Sequence, residues 1–394
     1  MIKTIKDLDI KNKKVIIRCD FNVPIKDGVI VDDNRIVSSL DTIKYAIENN
    51  CKVILLSHLG RIKTEEDKVK NSLEPVSKRL SELLSGINVI FVPHTRGEEV
   101  EKTIENMNYG DVVLLQNTRY EDLDGQKESS CDEDLSKYWA SLGDVFINDA
   151  FGTIHRAHAS NVGIATYLES GIGFLIDKEI TALKQLDNPE REYSVILGGA
   201  KVSDKIGVIN NLVTKADHIL IGGGMAFTFL KAKGYNIGKS LVDLEKIDYC
   251  SEILEKYSDK IVLPVDVVTS KIPNDSSNVE VKDISLIEDD DIGYDVGEKT
   301  VALFIQVLNN SNTVVWNGPL GLYEIDRYRK ATMDILTFLT LFDKKTIIGG
   351  GDTAAMVSEN KELKEKIYHV STGGGATLEY LEGKVLPGIE VLDK

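Results

Sequence analysis

The sequence has few cysteines, and they lack the spacing of a metal site or a disulfide framework. It contains 4 cysteines in 394 residues, with no CxxC pair and no histidines at zinc-site spacing. It also lacks an apolar run long enough for a transmembrane helix, and its start, MIKTIKDLDIKNKK, lacks the apolar core of a signal peptide. These absences argue against a zinc module and predict a cytoplasmic protein with free thiols and no membrane association.

Positive charge is also scarce. The 47 lysines and arginines are outnumbered by 63 aspartates and glutamates, which gives a net charge of -16. This balance argues against a general nucleic-acid or membrane-surface partner. Any local cluster of arginines is therefore notable, because the overall field repels an anionic substrate.

The order of apolar runs predicts the fold class. The chain exceeds the length that one hydrophobic core usually organises, so two domains are expected. Strand-like runs such as VIIRCD, KVILLSH and DVFINDA in the first half, and YSVILGG, HILIGGG and TIIGGGD in the second, alternate with helix-like stretches. This βαβ alternation predicts an α/β protein with two doubly wound, Rossmann-like parallel-sheet domains of three αβα layers each. We expect domains at 1–170 and 188–377, joined by a linking helix at 171–187.

Two kinds of residue follow these predicted strands. Arginines do so in the first half, at Arg18, Arg35, Arg61, Arg119 and Arg156. Glycine triplets do so in the second half, beginning at Gly222, Gly349 and Gly373. Arginine forks bind phosphate or carboxylate bidentately, whereas glycines let a backbone approach a phosphate. Since ligands of open α/β sheets sit at the carboxyl ends of strands, the first half should bind a small polyanion and the second a nucleotide.

The segment RCDFNVP supplies two further polar side chains after the first predicted strand. Asp20 can accept a hydrogen bond from a substrate hydroxyl, and Asn22 can donate to a carboxylate or phosphate. An Asx turn before Pro24 is the alternative interpretation. Both interpretations place Asp20 and Asn22 at a strand end.

The second half contains two lysines and an aspartate of interest. Lys201 and Lys205 are four residues apart and are expected on one face at the start of a helix, where they repel each other unless an anion lies between them. Asp352 follows the glycine turn, where a carboxylate repels a pyrophosphate unless a cation intervenes. It therefore indicates Mg²⁺ carried by a nucleotide.

Two local motif matches suggest other functions. The residues from Gly349 to Ala354 fit the dinucleotide pattern GxGxxA, but the next strand ends in Ser371-Thr372 and lacks the acid that holds a ribose. This motif is the basis for one alternative hypothesis, an NAD-dependent oxidoreductase. A non-catalytic scaffold is a further alternative. Gly238-Lys239-Ser240 resembles the end of a Walker A loop, but it is expected to be a loop after a helix.

Taken together, these motifs resemble phosphoglycerate kinase over essentially the whole chain, from RCDFNVP to STGGGATLEYLEGK. The resemblance implies reversible phosphoryl transfer from 1,3-bisphosphoglycerate to Mg-ADP, giving 3-phosphoglycerate and ATP in glycolysis. It implies 3-phosphoglycerate contacts at Asp20, Asn22, Arg35, His58, Arg61, Arg119 and Arg156. It implies nucleotide contacts at Lys201, Lys205, Gly297, Asn317, Glu324, Gly350, Gly351, Asp352 and Thr353, with Asp352 holding Mg²⁺.

The resemblance also implies a mechanism and an organisation. Charge on the transferred group is expected to be cancelled by Arg35, Lys201 and Lys205 and by backbone amides of Gly351 and Gly374, with no general base. The domains are expected to close for reaction, in a monomer whose tail, 378–394, returns to the first domain. Arg18 is read as a supporting residue. The chain departs from the family with YDVGEKT around Gly297, where a DIGPKT-like segment is common, and with Tyr120 in place of phenylalanine.

Overall fold

The structure, a computed structural model, describes residues 2–393. The chain divides into two compact units: unit 1 is Met1–Thr181 with Val385–Lys394, and unit 2 is Ala182–Lys384. The first point of division, after Thr181, lies within the expected linking segment 171–187, and the second, before Val385, lies beyond the expected start of the tail at 378.

Unit 1 is built on one six-stranded parallel sheet. The strands of unit 1, including two that lie outside this sheet, are β1 (Lys14–Arg18), β2 (Ile25–Lys26), β3 (Val29–Ile30), β4 (Lys52–Leu56), β5 (Val89–Val92), β6 (Val112–Leu115), β7 (Val145–Asn148) and β8 (Glu169–Ile172). Its helices are α1 (Asn34–Glu48), α2 (Glu65–Lys70), α3 (Glu74–Leu83), α4 (Glu98–Glu105), α5 (Glu133–Ser141), α6 (Ile164–Tyr167) and α7 (Phe174–Leu183), the last of which spans the division between the units. The sheet order is β5-β6-β4-β1-β7-β8, and β2 and β3 form a separate hairpin.

Unit 2 repeats this plan. Its strands are β9 (Tyr193–Leu197), β10 (His218–Ile221), β11 (Ile261–Val262), β12 (Asp266–Ser270), β13 (Glu280–Asp283), β14 (Ile292–Val296), β15 (Thr313–Asn317), β16 (Lys345–Gly349) and β17 (His369–Val370). Its helices are α8 (Ile206–Leu212), α9 (Met225–Ala232), α10 (Ile247–Lys256), α11 (Glu298–Asn309), α12 (Lys330–Leu339), α13 (Gly351–Glu359), α14 (Lys361–Lys366) and α15 (Gly375–Leu381). The main sheet has the order β11-β10-β9-β15-β16-β17. The last helix, α16 (Pro387–Glu390), belongs to unit 1.

The predicted fold class is confirmed, since both main sheets are parallel throughout. Strands β6, β7, β9 and β15 are buried along their full length, which explains their uninterrupted apolar sequences. In each sheet, the strand order reverses direction at the first strand of the unit. This strand is β1, between β4 and β7, in unit 1, and β9, between β10 and β15, in unit 2. Ligands of doubly wound sheets bind beyond the carboxyl ends of the strands at such a point.

Three details differ from or add to the sequence-based expectations. The apolar run KIVLPVD reads as one strand in the sequence, but it divides into β11 and β12 because Pro264 lies between them and has no N–H for a sheet ladder. Strand β12 then forms an antiparallel sheet with β13 and β14 that was not foreseen. The Gly238-Lys239-Ser240 segment is a loop after α9, as expected, and Lys239 donates from its backbone N to Asp291 O at 2.7 Å.

No helix within residues 2–393 is long and apolar enough to cross a membrane.

Candidate functional site

In unit 1, a buried carboxylate and an arginine meet beyond β1. Asp20 is almost fully buried, and its Oδ2 accepts from Nη1 of Arg35 in the first turn of α1. Burial alone raises the pKa of Asp20, but Arg35, together with His58 and Arg18, lowers it below its usual value. A Cβ on Gly152 would overlap Asp20 Oδ2, so the loop after β7 can pass this pair only as glycine. The sheet therefore presents an ionised, arginine-paired carboxylate at its switch point.

Asn22 takes part in a turn and in a contact between two strand-end segments. Its backbone N lies 3.3 Å from Asp20 Oδ1, in the pattern of an Asx turn. Its side-chain Oδ1 accepts from Gly60 N at 2.8 Å, which ties the segment after β1 to the segment after β4. With Oδ1 used in this way, the Nδ2 amide is the group that remains to donate to a ligand.

His58 follows β4 and is buried as a neutral ring. Its Nδ1 lies 3.3 Å from Nη2 of Arg18, the last residue of β1. Burial, reinforced by the positive charge of Arg18, holds the pKa of His58 well below its usual value. His58 is therefore uncharged at neutral pH and can act as a hydrogen-bond donor or acceptor, but not as a cation.

Two further arginines line an open cleft. Arg61 and Arg119 both line a cavity of about 710 Å³, and Arg119 lies in a turn of 3-10 helix, Thr118–Asp122, after β6. Burial lowers the pKa of Arg119, and the nearby charges of Arg156 and Arg18 lower it further. Its buried Nε has no hydrogen-bond partner within the described part of the chain. Buried donors are nearly always paired, so this guanidinium is suited to an anionic ligand.

In unit 2, the ends of three strands converge on a lysine and an asparagine. Lys205 donates from Nζ to Oδ1 of Asn317, the last residue of β15. Burial lowers the pKa of Lys205, while the charges of Asp204 and Asp352 oppose that shift. Nδ2 of Asn317 is buried without a partner among residues 2–393, and a Cβ on Gly350 would lie 3.0 Å from it. Asp352 is exposed in the first turn of α13.

The expected helical placement of the two lysines is wrong. Residues 201–204 precede α8 as loop and turn, and Lys205 is its N-cap, so the pair does not share a helix face. The charge-repulsion argument based on helical spacing therefore does not apply. Lys205 nevertheless lies at the strand ends, whereas Lys201 is exposed and has Asp243 as a charged neighbour.

Backbone contacts between glycines bring the strand ends of unit 2 together. A Cβ on Gly198 would overlap Pro319 O, and one on Gly318 would overlap Gly198 O. Gly223, at φ +64°, would place its Cβ 2.6 Å from the backbone of Gly199. Only glycine permits this approach of β9, β10 and β15.

Two other glycines begin helices that face this region. Gly350 has φ +97° and caps α13, and Gly374 has φ +51° and caps α15. A Cβ on Gly351 would meet open space, so its amide lies at an unobstructed helix start. The hydroxyl of Thr353 accepts from Gly318 N at 3.0 Å and joins the turn of α13 to the end of β15. Free amides at helix starts attract anions.

Two of the residues expected to contact the nucleotide have weaker connections to Lys205 and Asp352. Glu324 is exposed, and its charge adds to burial and to the charge of Asp352 in raising the pKa of Tyr323. Gly297 caps α11 against Asp266, whose Oδ1 accepts from Thr300 N at 2.8 Å, and no recorded contact in residues 2–393 joins Gly297 to Lys205 or Asp352. The family departure at the next residue is harmless to this helix start, because glutamate, like proline, suits a first helical turn.

Comparison with known proteins identifies the family. Residues 5–384 match the family model described as phosphoglycerate kinase. The chain belongs to the phosphoglycerate kinase family. A phosphoglycerate kinase from Enterococcus faecalis is 57% identical over 390 residues, covering 98% of each chain. One from Fusobacterium nucleatum is 56% identical over 398 residues, covering 100% of this chain and 99% of its own.

Solved structures agree with this membership. The structure of phosphoglycerate kinase from Coxiella burnetii has a TM-score of 0.90 at 37% identity, covering 100% of this chain and 99% of that one. The phosphoglycerate kinase from Pyrococcus horikoshii has a TM-score of 0.84 at 30% identity, covering 99% and 98%. The chain therefore has phosphoglycerate kinase activity, a glycolytic phosphoryl transfer with a carboxyl group as acceptor. The oxidoreductase hypothesis, which depended on the glycine turn before α13, is set aside.

Several residues that shape this phosphoglycerate kinase site were not singled out from the sequence. Asn117 follows β6, and its Nδ2 donates to Leu59 O at 2.7 Å and to Asn71 O at 2.9 Å, which braces the segment after His58. Glu128 and Ser160 are buried beneath the arginines. The position of Asn117 at a strand end was a usable signal, whereas Glu128 and Ser160 lie outside every motif.

The acidic residues of unit 2 offer two places for a cation. Glu288, Asp290 and Asp291 lie within 4.8 Å of one another, but Lys282 Nζ lies 2.9 Å from Asp291 and Lys271 is paired with Glu288. These lysines already neutralise the group. Asp352, beside the phosphoglycerate kinase glycine turn, is free of such a pair in the described chain, and a single carboxylate with substrate phosphates suits Mg²⁺.

Proposed function

We propose that unit 1 binds 3-phosphoglycerate or 1,3-bisphosphoglycerate and that unit 2 binds Mg-ADP or Mg-ATP. The observation that carries this assignment is Arg119, whose buried Nε lacks a partner within residues 2–393 and whose neighbours are Arg156 and Arg18. In a chain of net charge -16, a local cluster of arginines, of which Arg18 and Arg119 are buried, is suited to bind a small polyanion.

The ligand of unit 1 carries a carboxyl or acyl-phosphate end, a hydroxyl and a phosphate. Asp20 is ionised, so it accepts from the hydroxyl, while the arginines and Asn22 donate to the anionic ends. The proposed contacts are Asp20, Asn22, Arg35, His58, Arg61, Arg119 and Arg156.

Unit 2 receives the nucleotide at the ends of β9, β15 and β16. The Lys205–Asn317 pair and the helix starts at Gly351 and Gly374 supply donors for phosphate oxygens. The proposed contacts are Lys201, Lys205, Gly297, Asn317, Glu324, Gly350, Gly351, Asp352 and Thr353. Asp352 is the residue that holds Mg²⁺, which when bound neutralises phosphate charge and orients the nucleotide.

Phosphoryl transfer depends chiefly on alignment and on cancelling charge. Arg35 acts from unit 1, and Lys201 and Lys205 act from unit 2, with backbone amides of Gly351 and Gly374. No general base takes part, because the acceptor is either a carboxylate or a nucleoside diphosphate. Reaction therefore requires both ligands to be brought together with water excluded, which we assign to closure of the two domains.

The remaining assignments concern the setting of the enzyme. We propose a cytoplasmic monomer whose partners are small molecules, with no nucleic-acid or membrane partner. We retain functional domains at 1–170 and 188–377, a linking helix at 171–187, and a tail at 378–394 that packs on the first domain. Sedimentation of the purified protein tests the monomer.

The test is ADP production from Mg-ATP by purified protein, with and without 3-phosphoglycerate. Turnover that requires 3-phosphoglycerate supports the assignment, and calorimetric binding of 3-phosphoglycerate to an Arg119→Ala variant should be weakened. Unaltered binding to that variant would remove Arg119 from the site. Turnover without 3-phosphoglycerate would mean a different acceptor.

A further inference from the structure

Arg18 is a fully buried arginine with each guanidinium nitrogen engaged. Nε donates to Ser160 Oγ at 2.9 Å, Nη1 donates to the carbonyl of Cys19, and Nη2 lies 3.3 Å from Nδ1 of His58. Its side chain is therefore held in one orientation, in contrast to the exposed Arg61 and Arg156.

Ser160 connects Arg18 to a buried carboxylate. It lies in a π-helical turn, Ala159–Gly163, and both its hydroxyl and its backbone N donate to Glu128, at 2.5 and 2.9 Å. Glu128 is fully buried, and its charge offsets that of Arg18. The result is a continuous buried chain from Glu128 through Ser160 and Arg18 to His58.

The chemistry of arginine determines where the proton of His58 lies. A guanidinium has five N–H donors and no acceptor, so Nδ1 of His58 must be the acceptor in their contact. In a neutral imidazole, the other nitrogen then carries the hydrogen. His58 thus offers an Nε2–H donor, and its Nε2 has no recorded protein partner in the described chain.

We propose that Arg18, fixed by Ser160 and Glu128, is a positioning residue that holds His58 as the Nε2–H tautomer for hydrogen bonding to an oxygen of the phosphoglycerate ligand. The alternative Nδ1–H tautomer presents a lone pair to an anionic ligand and repels it. This inference rests on the proposed role of unit 1, but the tautomer itself is a property of the free protein.

The first test is nitrogen NMR of labelled, ligand-free protein, with the His58 signals assigned by their loss in a His58→Gln variant. We expect Nδ1 to have the shift of an unprotonated nitrogen and Nε2 that of a protonated one. The opposite pattern, or a mixture of tautomers in the wild type, would overturn the proposal. Because no substrate is present, this result is independent of whether the proposed function is correct.

The second test separates positioning from general damage. Arg18→Lys keeps the charge but carries all its N–H donors on one nitrogen, which cannot reproduce the contacts of the three guanidinium nitrogens. Ser160→Ala cuts the link to Glu128 with smaller risk to folding. Both variants should shift His58 toward a mixture of tautomers. Since only the Nε2–H tautomer donates to the ligand, the KM for 3-phosphoglycerate should rise in inverse proportion to the fraction of that tautomer, about twofold for an equal mixture, while the KM for Mg-ATP stays near the wild-type value.

Ser136→Ala is the matched control. Ser136 is also buried in unit 1, and its hydroxyl donates to the backbone carbonyl of Asp132 at 2.6 Å with no link to Arg18. It should leave the His58 tautomer and the KM for 3-phosphoglycerate unchanged. If Ser160→Ala and Ser136→Ala behave alike, the role of the buried chain is only structural. A wild-type protein with the expected tautomer but no turnover with 3-phosphoglycerate would overturn the proposed function instead.

Discussion

The two units have the same sheet plan, but they offer different chemical groups to an anionic ligand. Unit 1 uses arginine side chains, of which Arg18 and Arg119 are buried and held close to carboxylates. Unit 2 uses close approaches between glycine backbones and a half-buried lysine, Lys205. Removal of an arginine side chain should therefore weaken ligand binding in unit 1. In unit 2, addition of a single methyl group to a glycine should also weaken ligand binding.

A likeness between the units accompanies this difference. In unit 1, Asp149 accepts from the backbone N of Leu175 at 2.9 Å and of Ile176 at 3.2 Å, at the start of α7. In unit 2, Asp295 accepts from Ala331 N at 3.1 Å, at the start of α12. Each helix start is thus fixed by a buried carboxyl group at or near the end of a strand.

The largest predicted effect is on the pH dependence of protein stability, which both buried carboxyl groups should influence. Burial raises the pKa of Asp149 to about 7 and that of Asp295 to about 7, above an unfolded value of about 3.9. The stability that each protonated carboxyl contributes is full below about pH 4 and is lost as pH rises through about 7. Asp149→Asn and Asp295→Asn should each reduce this loss, by on the order of a few kcal/mol.

The measurement is the free energy of unfolding in urea at about pH 5 and pH 8, compared between each variant and the wild type. Asp144→Asn, at an exposed carboxylate that accepts from Lys14 N at 2.8 Å, is a suitable control. A change in pH dependence for only one of the buried carboxyl variants would break the likeness between the units.

The next largest effect concerns catalysis from unit 2. Lys201→Ala should lower kcat about 100-fold or more, because a cation that stabilises the transferred group is lost, with little change in affinity for 3-phosphoglycerate. Lys239→Ala, in the loop that resembles a Walker A motif, should leave kcat unchanged. Steady-state kinetics with both substrates checks this, and a near-normal kcat for Lys201→Ala would remove Lys201 from the reaction.

Adding a methyl group to a glycine should test whether unit 2 depends on close approaches between backbone segments. Gly198→Ala places a Cβ against Pro319 O and should destabilise the protein by about 2 kcal/mol while weakening Mg-ADP binding. Gly351→Ala meets open space and should alter stability by less than about 0.5 kcal/mol. Equal thermal unfolding of the two variants would contradict the packing argument.

The smallest effect concerns an exposed side chain of unit 1. Arg156→Ala should weaken 3-phosphoglycerate binding about tenfold, because one charge-assisted contact is lost. Mg-ADP affinity should not change. Calorimetry with each ligand checks both expectations, and unchanged 3-phosphoglycerate binding would exclude Arg156 from the site.

The parts of this structure that the sequence predicted are those determined by local pattern. Apolar runs predicted the parallel sheets, and the polar residues that follow them predicted where Asp20, Arg119 and Asn317 would lie. The helix start near Lys205 was placed too early, because a polar turn before a helix and the first turn of that helix have similar compositions. The link from Arg18 to Ser160 spans 142 residues, so no local pattern could have indicated it.

The return of the last helix to unit 1 has a consequence for synthesis on the ribosome. Gly388 N donates to Ile154 O at 2.9 Å, close to the turn that contains Ser160 and the loop that contains Arg156. Residues 385–394 are translated only after all of unit 2, at least about ten seconds after Thr181. A nascent chain can therefore form the parallel sheet of unit 1 early, but the contact between Gly388 and Ile154 forms only after residues 385–393 have left the ribosome.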